Sequence, residues 1–97
     1  MRNDKNNVIV ELSFRFSLGI VEYADLLAEQ RKFILSQQIL KSGTSIGANA
    51  KEAQNAESRT DFIHKFKIAA KEADELEYWL LLCKNSKPYP DPPQNLL

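Results

Sequence analysis

The chain has 97 residues, of which 43% are hydrophobic and 27% charged, with three glycines, four prolines and 13 basic against 13 acidic side chains. That length suits one domain with a modest core, and a formal net charge of zero argues against a strongly cationic nucleic-acid binder while leaving room for local patches. A single cysteine, Cys83, excludes an internal disulfide and suits a reducing compartment; the start "MRNDKNNVIVELSF" has no apolar run long enough for a signal peptide or a membrane span, so a cytoplasmic chain without membrane contact is expected.

The first predicted element, helix A over about 8–29, carries Ile9, Leu12, Phe16, Ile20, Tyr23 and Leu27 at helical spacing. A second stripe, Phe14, Leu18 and Val21, lies on another face. One ordinary buried face does not need both stripes. Helix A therefore has a wide core face, sits centrally, or turns the second stripe to another copy of the chain.

Helix B, over about 31–56, carries Phe33, Ile34, Leu40, Ile46, Ala50 and Ala53. Inside it lies "LKSGTSIGANAKEA", with Gly43 and Gly47 among Ser42, Thr44, Ser45 and Asn49. Taken alone, this stretch reads as a loop that holds a phosphate. Such a loop needs a strand before it and Lys-Ser/Thr directly after its last glycine, and "GTSIGAN" has neither. Within a helix, two interior glycines cost about 2 kcal/mol relative to alanine. Packing has to compensate, and small residues allow helix axes closer than the usual spacing of about 8–10 Å.

"AESRTDF" then breaks the chain. Ser58 followed by Asp61 has capping-box spacing, with Asp in place of Glu, and Phe62 opens an apolar run. Helix C, about 59–85, has Phe62, Phe66, Ala69, Ala73, Leu76, Leu80 and Cys83 at alternating intervals of four and three, a heptad seam. Ile68, Trp79 and Leu82 lie on a different face. Beyond Ser86, the tail 87–97 has four prolines in six residues; these end the helix and favour an extended, polyproline-like segment or a loop to a further element. "QNLL" suits the start of another helix. No strand alternation and no internal repeat is present.

The short B–C connection predicts an antiparallel hairpin. With its turn near Glu57, Gly43 to Gly47 fall opposite "KIAAK", so the glycines are expected to meet Ala69 and Ala70. Lys41 falls near Asp74, and an ion pair is expected there. Arg59, Lys65, Lys67 and Lys71 occupy the first half of helix C, and Glu72, Asp74, Glu75 and Glu77 the second, which opposes the helix dipole. The four cations read as a solvated run or, gathered in an oligomer, as contacts for an anion such as RNA. The polar series Gln37, Ser45, Asn49, Glu52 and Glu75 reads as a buried network that sets register, or in part as a site.

No catalytic, cofactor-binding or metal site is predicted. His64 is the only histidine, so the paired Glu-x-x-His motifs of a di-iron bundle cannot be built. Cys83 lies about five helical turns from His64, too far for a nucleophile and its base within one chain.

Several of these residues also carry a resemblance. Gln37 or Gln38, Lys41, Ser42, Ser45, Ile46, Asn49, Glu52 and Ala53, then Asp61 and Phe62, then Lys71, Glu72, Glu75, Trp79 and Leu80 resemble the pattern of the four-helix-bundle proteins encoded in intervening sequences of bacterial 23S ribosomal RNA genes. The match covers about half of the chain strongly and helix A loosely. The resemblance implies an up-down-up-down four-helix bundle, a homopentamer and no enzymatic activity. A related, strongly basic branch serves the reverse transcriptases of diversity-generating retroelements. The sequence reaches the point where the family's fourth helix would begin, so three helices are expected to leave an apolar face open.

The expected fold is thus all-α, an antiparallel up-and-down bundle of the four-helix type with three long helices. Its helix-packing motif comprises Gly43, Gly47, Ser45, Asn49, Glu52, Ala69, Ala70 and Trp79. The expected role is an oligomeric scaffold, most readily a pentamer. The alternative is an RNA- or DNA-binding accessory protein, with ribosomal RNA or a reverse transcriptase as partner and Arg59, Lys65, Lys67 and Lys71 as contacts.

Overall fold

Residues 8–96 of the chain are described by a computed structural model; residues 1–7, the polar part of the start, and Leu97, the last residue of the tail, lie outside them. Among the described residues the regular elements are three α-helices, α1 (Val8–Glu29), α2 (Phe33–Ala53) and α3 (Arg59–Asn85), and a 3-10 turn, Gln94–Leu96; no strand occurs.

The ends of the helices have local causes. Arg31 adopts φ 63°, a left-handed conformation. Its N–H donates to Ala28 O at 2.9 Å and the Lys32 N–H to Leu27 O at 2.8 Å, the double closure of a Schellman motif, here without its usual glycine. α2 thus starts at Phe33 rather than at 31. It also stops at Ala53 rather than 56, because the N–H groups of Gln54, Asn55 and Ala56 turn to carbonyls three residues back, Lys51, Glu52 and Ala53. At α3, Ser58 is extended and its Oγ accepts the Asp61 N–H at 3.1 Å, satisfying one of the orphan donors of the first turn.

α2 lies between α1 and α3 and packs along both. Three contacts fix its register on α1. The Ser36 hydroxyl donates to Ala24 O at 2.7 Å. A Cβ on Gly43 would lie 2.6 Å from Ile20 Cγ2, and one on Gly47 would lie 2.9 Å from Ser17 Oγ and 3.2 Å from Ser13 O. Residue numbers rise along α2 as they fall along α1, so the two helices run antiparallel. The glycines therefore face α1, and the expected meeting with Ala69 and Ala70 does not occur. Counting residues from a hairpin turn gives the height of a residue along the helix; the side on which it emerges depends on the helical phase, and Ser36, Gly43 and Gly47 share the phase that points to α1.

The core is built from Ile20, Tyr23 and Leu27 of α1, Ile39 of α2, Leu76, Leu80 and Cys83 of α3, and Leu96. Each large apolar side chain buried there contributes about 1.5–3 kcal/mol. In the heptad seam of α3, Ala69, Leu76, Leu80 and Cys83 are buried. Phe62 and Phe66 are half-buried in edge-to-face contact with centroids 4.9 Å apart, and Ala73 is exposed. The stripe on α1 also divides. Ile20, Tyr23 and Leu27 are buried, whereas Ile9 and Leu12 stay 49% and 58% exposed. The α3 side chains at that end include Ala69, Ala70 and Ala73, too short to reach across. The second stripe, Phe14, Leu18 and Val21, is exposed.

Candidate functional site

The polar stretch of α2 satisfies itself. The Ser42, Thr44 and Ser45 hydroxyls donate to Gln38 O, Leu40 O and Lys41 O at 2.7, 2.6 and 2.7 Å, and Asn49 Nδ2 donates to Ser45 O at 2.8 Å. Each partner lies one turn back on the same helix, so these side chains are satisfied locally and bond to no neighbouring helix. The predicted network of Gln37, Ser45, Asn49, Glu52 and Glu75 is not assembled: Gln37, Glu52 and Glu75 are exposed. Their height along the helices matches, but their phases put them on the outside. Glu52 instead receives Lys65 at 3.1 Å, and among the described residues this is the ion pair that joins two helices. Lys41 and Asp74 are both exposed and make no such pair.

The cations of α3 separate likewise. Lys65 turns toward α2, while Arg59, Lys67 and Lys71 are exposed. His64, Lys67 and Lys71, spaced three and four apart, share one outward strip. Asp74, Glu75 and Glu77 follow at once and are also exposed, which confines the positive strip to about two turns. Trp79 is half-buried beside Tyr78, with ring centroids 5.4 Å apart, and its buried indole N–H has no partner among the described residues.

A groove runs between α1 and α3 with α2 as its floor. At one end Leu96 sits among Phe16, Ile46, Leu76 and Leu80. It also meets Gly19, where an added Cβ would lie 3.2 Å from Leu96 Cδ2. Toward the other end the groove is open, lined by Ile9 and Ser13, by Ile46 and Ala50, and by Phe66, Ala69, Ala70 and Ala73. The open end is almost wholly apolar, whereas Glu77 and Asn95 also line the end at Leu96.

The proline-rich segment packs against the helices. The Tyr89 N–H closes a turn on Ser86 O at 3.0 Å, the Tyr23 hydroxyl donates to Pro90 O at 2.6 Å, and Lys32 Nζ lies 5.1 Å from the centroid of the Tyr89 ring. Burial, the neighbouring Cys83 thiol and Asp91 hold the Tyr23 phenol above its usual ionisation range, and burial likewise pushes the Cys83 thiol up. Both groups are neutral in this setting. The Tyr23–Pro90 bond joins residues 67 apart, and no local pattern in the sequence announces it.

Among the described residues no group of three His, Cys, Asp or Glu side chains is placed to hold a metal ion, and no helix is long and apolar enough to cross a membrane. The features that stand out are packing surfaces: the groove, the outer stripe of α1 and the glycine–serine seam between α1 and α2.

Comparison with known proteins agrees with this architecture. The chain is similar to a crystal structure of a protein of unknown function from the S23 ribosomal protein family of Bacteroides thetaiotaomicron. The two share 53% sequence identity, the match covers 84% of this chain and 74% of that one, and the TM-score is 0.75. No protein of curated function matches the chain. The family model described as 23S rRNA-intervening sequence protein matches residues 5–92. With the match spanning the whole of α1, α2 and α3 and the connections between them, the chain belongs to the 23S rRNA-intervening sequence protein family.

Proposed function

We propose that this protein is a non-enzymatic subunit of a homo-oligomer, a scaffold or interaction protein whose chain belongs in an antiparallel up-and-down four-helix bundle. The observation that carries the reading is the apolar surface left unpartnered on α1, where Phe14 is 62% and Leu18 50% exposed. A soluble monomer rarely leaves a contiguous apolar patch of this kind in water. The groove supports the four-helix part of the reading, since three helices supply it with an apolar floor and two apolar walls. In this reading a fourth helix lies in the groove and another copy of the chain covers the outer stripe. A pentamer is the subunit number that the family resemblance suggests.

Light scattering at micromolar concentration tests the assembly: an oligomer is expected, and a clean monomer would overturn the proposal. Leu18→Lys should shift the population to smaller species while circular dichroism retains the helix content. An unchanged mass would move the interface away from this stripe.

A second reading, an accessory protein that binds RNA or DNA alone or beside a reverse transcriptase, draws support from the shared face of His64, Lys67 and Lys71. The exposed Asp74, Glu75 and Glu77 and the zero net charge count against it. Phosphate contacts release counterions, so affinity that falls as salt rises would favour this reading, and a salt slope near zero would discard it.

A further inference from the structure

We propose that the second apolar stripes of α1 and α3 are the two halves of one head-to-tail contact: Phe14, Leu18 and Val21 of each copy lie against Ile68, Trp79 and Leu82 of the next, and α2 lines the axis of a closed ring. This inference rests on the oligomer reading and deepens it, by naming the surface of the second copy that covers α1.

The two stripes lie on adjacent sides of the molecule. The three helices occupy three corners of a square, with the groove at the fourth. Lys51 of α2 shares a shallow hollow with Val10, Phe14 and Ala48, so the outer side of α1 continues onto α2. Glu52, the next residue, turns to the other flank and meets Lys65 of α3. Ile68, Trp79 and Leu82 continue the flank of Lys65 at helical spacing, away from the groove. On this second side Leu82 is 40%, Tyr78 59% and Ile34 79% exposed. α2 is thus the edge at which the two sides meet, at about a right angle.

The stripes also agree in height. Gly47 is level with Ser13 and Ser17 on α1. Glu52 is level with Lys65, so Gly47, five residues earlier, is level with about residue 70 on α3. Phe14 to Val21 therefore stand level with a stretch inside 68–82. Rotation about an axis along the helices leaves heights unchanged and brings these level surfaces together.

Charge selects a head-to-tail contact over self-pairing. Lys51 and Glu52 are both exposed. They are about 1.5 Å apart along α2, one on each side. Rotation about an axis beside α2 sets Lys51 of one copy beside Glu52 of the next, and the alternation repeats around the ring. A two-fold contact pairs the α1 side with itself and leaves Glu52 and the whole α3 stripe uncovered. Head-to-tail contacts form rings where the rotation closes, and sides at about a right angle close with about four or five copies. The short side chains of Thr44, Ser45 and Ala48 lie at the shared edge and leave room for neighbouring copies of α2.

Complementation between variants of the whole chain tests the contact, with mass read by light scattering and folding by circular dichroism. Leu18→Lys disables one half and Leu82→Lys the other, so each alone should turn the wild-type oligomer into monomer. Mixed in equal amounts, the two retain one intact contact and should form a dimer that grows no further. Tyr78→Lys takes the place of Leu82→Lys should the latter fail to fold. Lys51→Glu sets two carboxylates together and should lower the mass at low salt, with recovery as salt screens the repulsion. Loss of mass in Leu18→Lys with none in Leu82→Lys would leave the oligomer reading standing and overturn the head-to-tail contact. A mixture of the two that stays monomeric would overturn it as well, and an unchanged mass for Lys51→Glu at low salt would overturn the Lys51–Glu52 alternation. A monomeric wild type would overturn the oligomer reading itself.

Discussion

The two sides of α2 are packed on opposite terms. Toward α1 it presents Ser36, Gly43 and Gly47, and the fit depends on atoms that are absent: a Cβ at Gly43 would stand 2.6 Å from Ile20. Toward the core and α3 it presents Ile39, Ile46 and Ala50, and the fit depends on atoms that are present, with Ile39 fully buried beside Leu76 and Leu80. One helix thus uses close approach on one flank and filled volume on the other. Substitutions should accordingly show opposite sensitivities, with the α1 side intolerant of added carbon and the α3 side intolerant of its loss.

The largest effect is expected where volume is removed. Leu80→Ala deletes a side chain that is 1% exposed and should cost about 2–5 kcal/mol by denaturant unfolding. A loss below about 1 kcal/mol would show that the core collapses freely around the site. On the other flank, Gly43→Ala should cost about 1–2 kcal/mol, with overpacking against the β-branched Ile20 exceeding the gain of about 1 kcal/mol in helix propensity. Gly47→Ala should cost less, because the nearest atom is the rotatable Ser17 hydroxyl. The reverse order would mean that α1 shifts to relieve Ile20 but not Ser13.

A smaller effect concerns the filled side near the Tyr23–Pro90 bond. Folding holds the Cys83 thiol and the Tyr23 phenol neutral above their ordinary values of 9.0 and 10.0. The unfolded chain releases those protons first, so stability is unaffected at lower pH and falls as pH rises through 9 and 10. Tyr23→Phe should flatten the part of that decline above 10, as followed by unfolding at a series of pH values. Smallest, and opposite in sign, is Arg31→Gly. Glycine occupies the left-handed region without a Cβ penalty and should stabilise by up to about 1 kcal/mol, seen as a raised midpoint.

The parts of this architecture that are legible in the sequence are those that obey a local rule. The Ser58–Asp61 spacing marks the start of α3, and the heptad interval in α3 selects Leu76, Leu80 and Cys83 as inward side chains. The direction in which Gly43 and Gly47 face is not legible, because periodicity groups residues by side without saying which neighbour takes that side. The α1–α2 turn has no glycine to mark it, since Arg31 bears the positive φ itself. The lack of cover over Ile9 depends on the short α3 side chains across the groove, Ala69, Ala70 and Ala73, which no pattern within α1 reveals. The Tyr23–Pro90 bond depends on how three helices have already packed.

Gly43 and Gly47 lie one helical turn apart and form two successive detents for α1. A slide of about 5.4 Å, one turn, would carry Ile20 from the first to the second and bring the small Ala24 over Gly43, a near-fit that steric shape alone hardly rejects. The stop is the connection through Arg31. With three residues between α1 and α2, the chain has no slack to follow such a slide, and the Ser36–Ala24 bond would break at the same step. The tight turn therefore selects one register out of two, and lengthening it would turn a static seam into a ratchet.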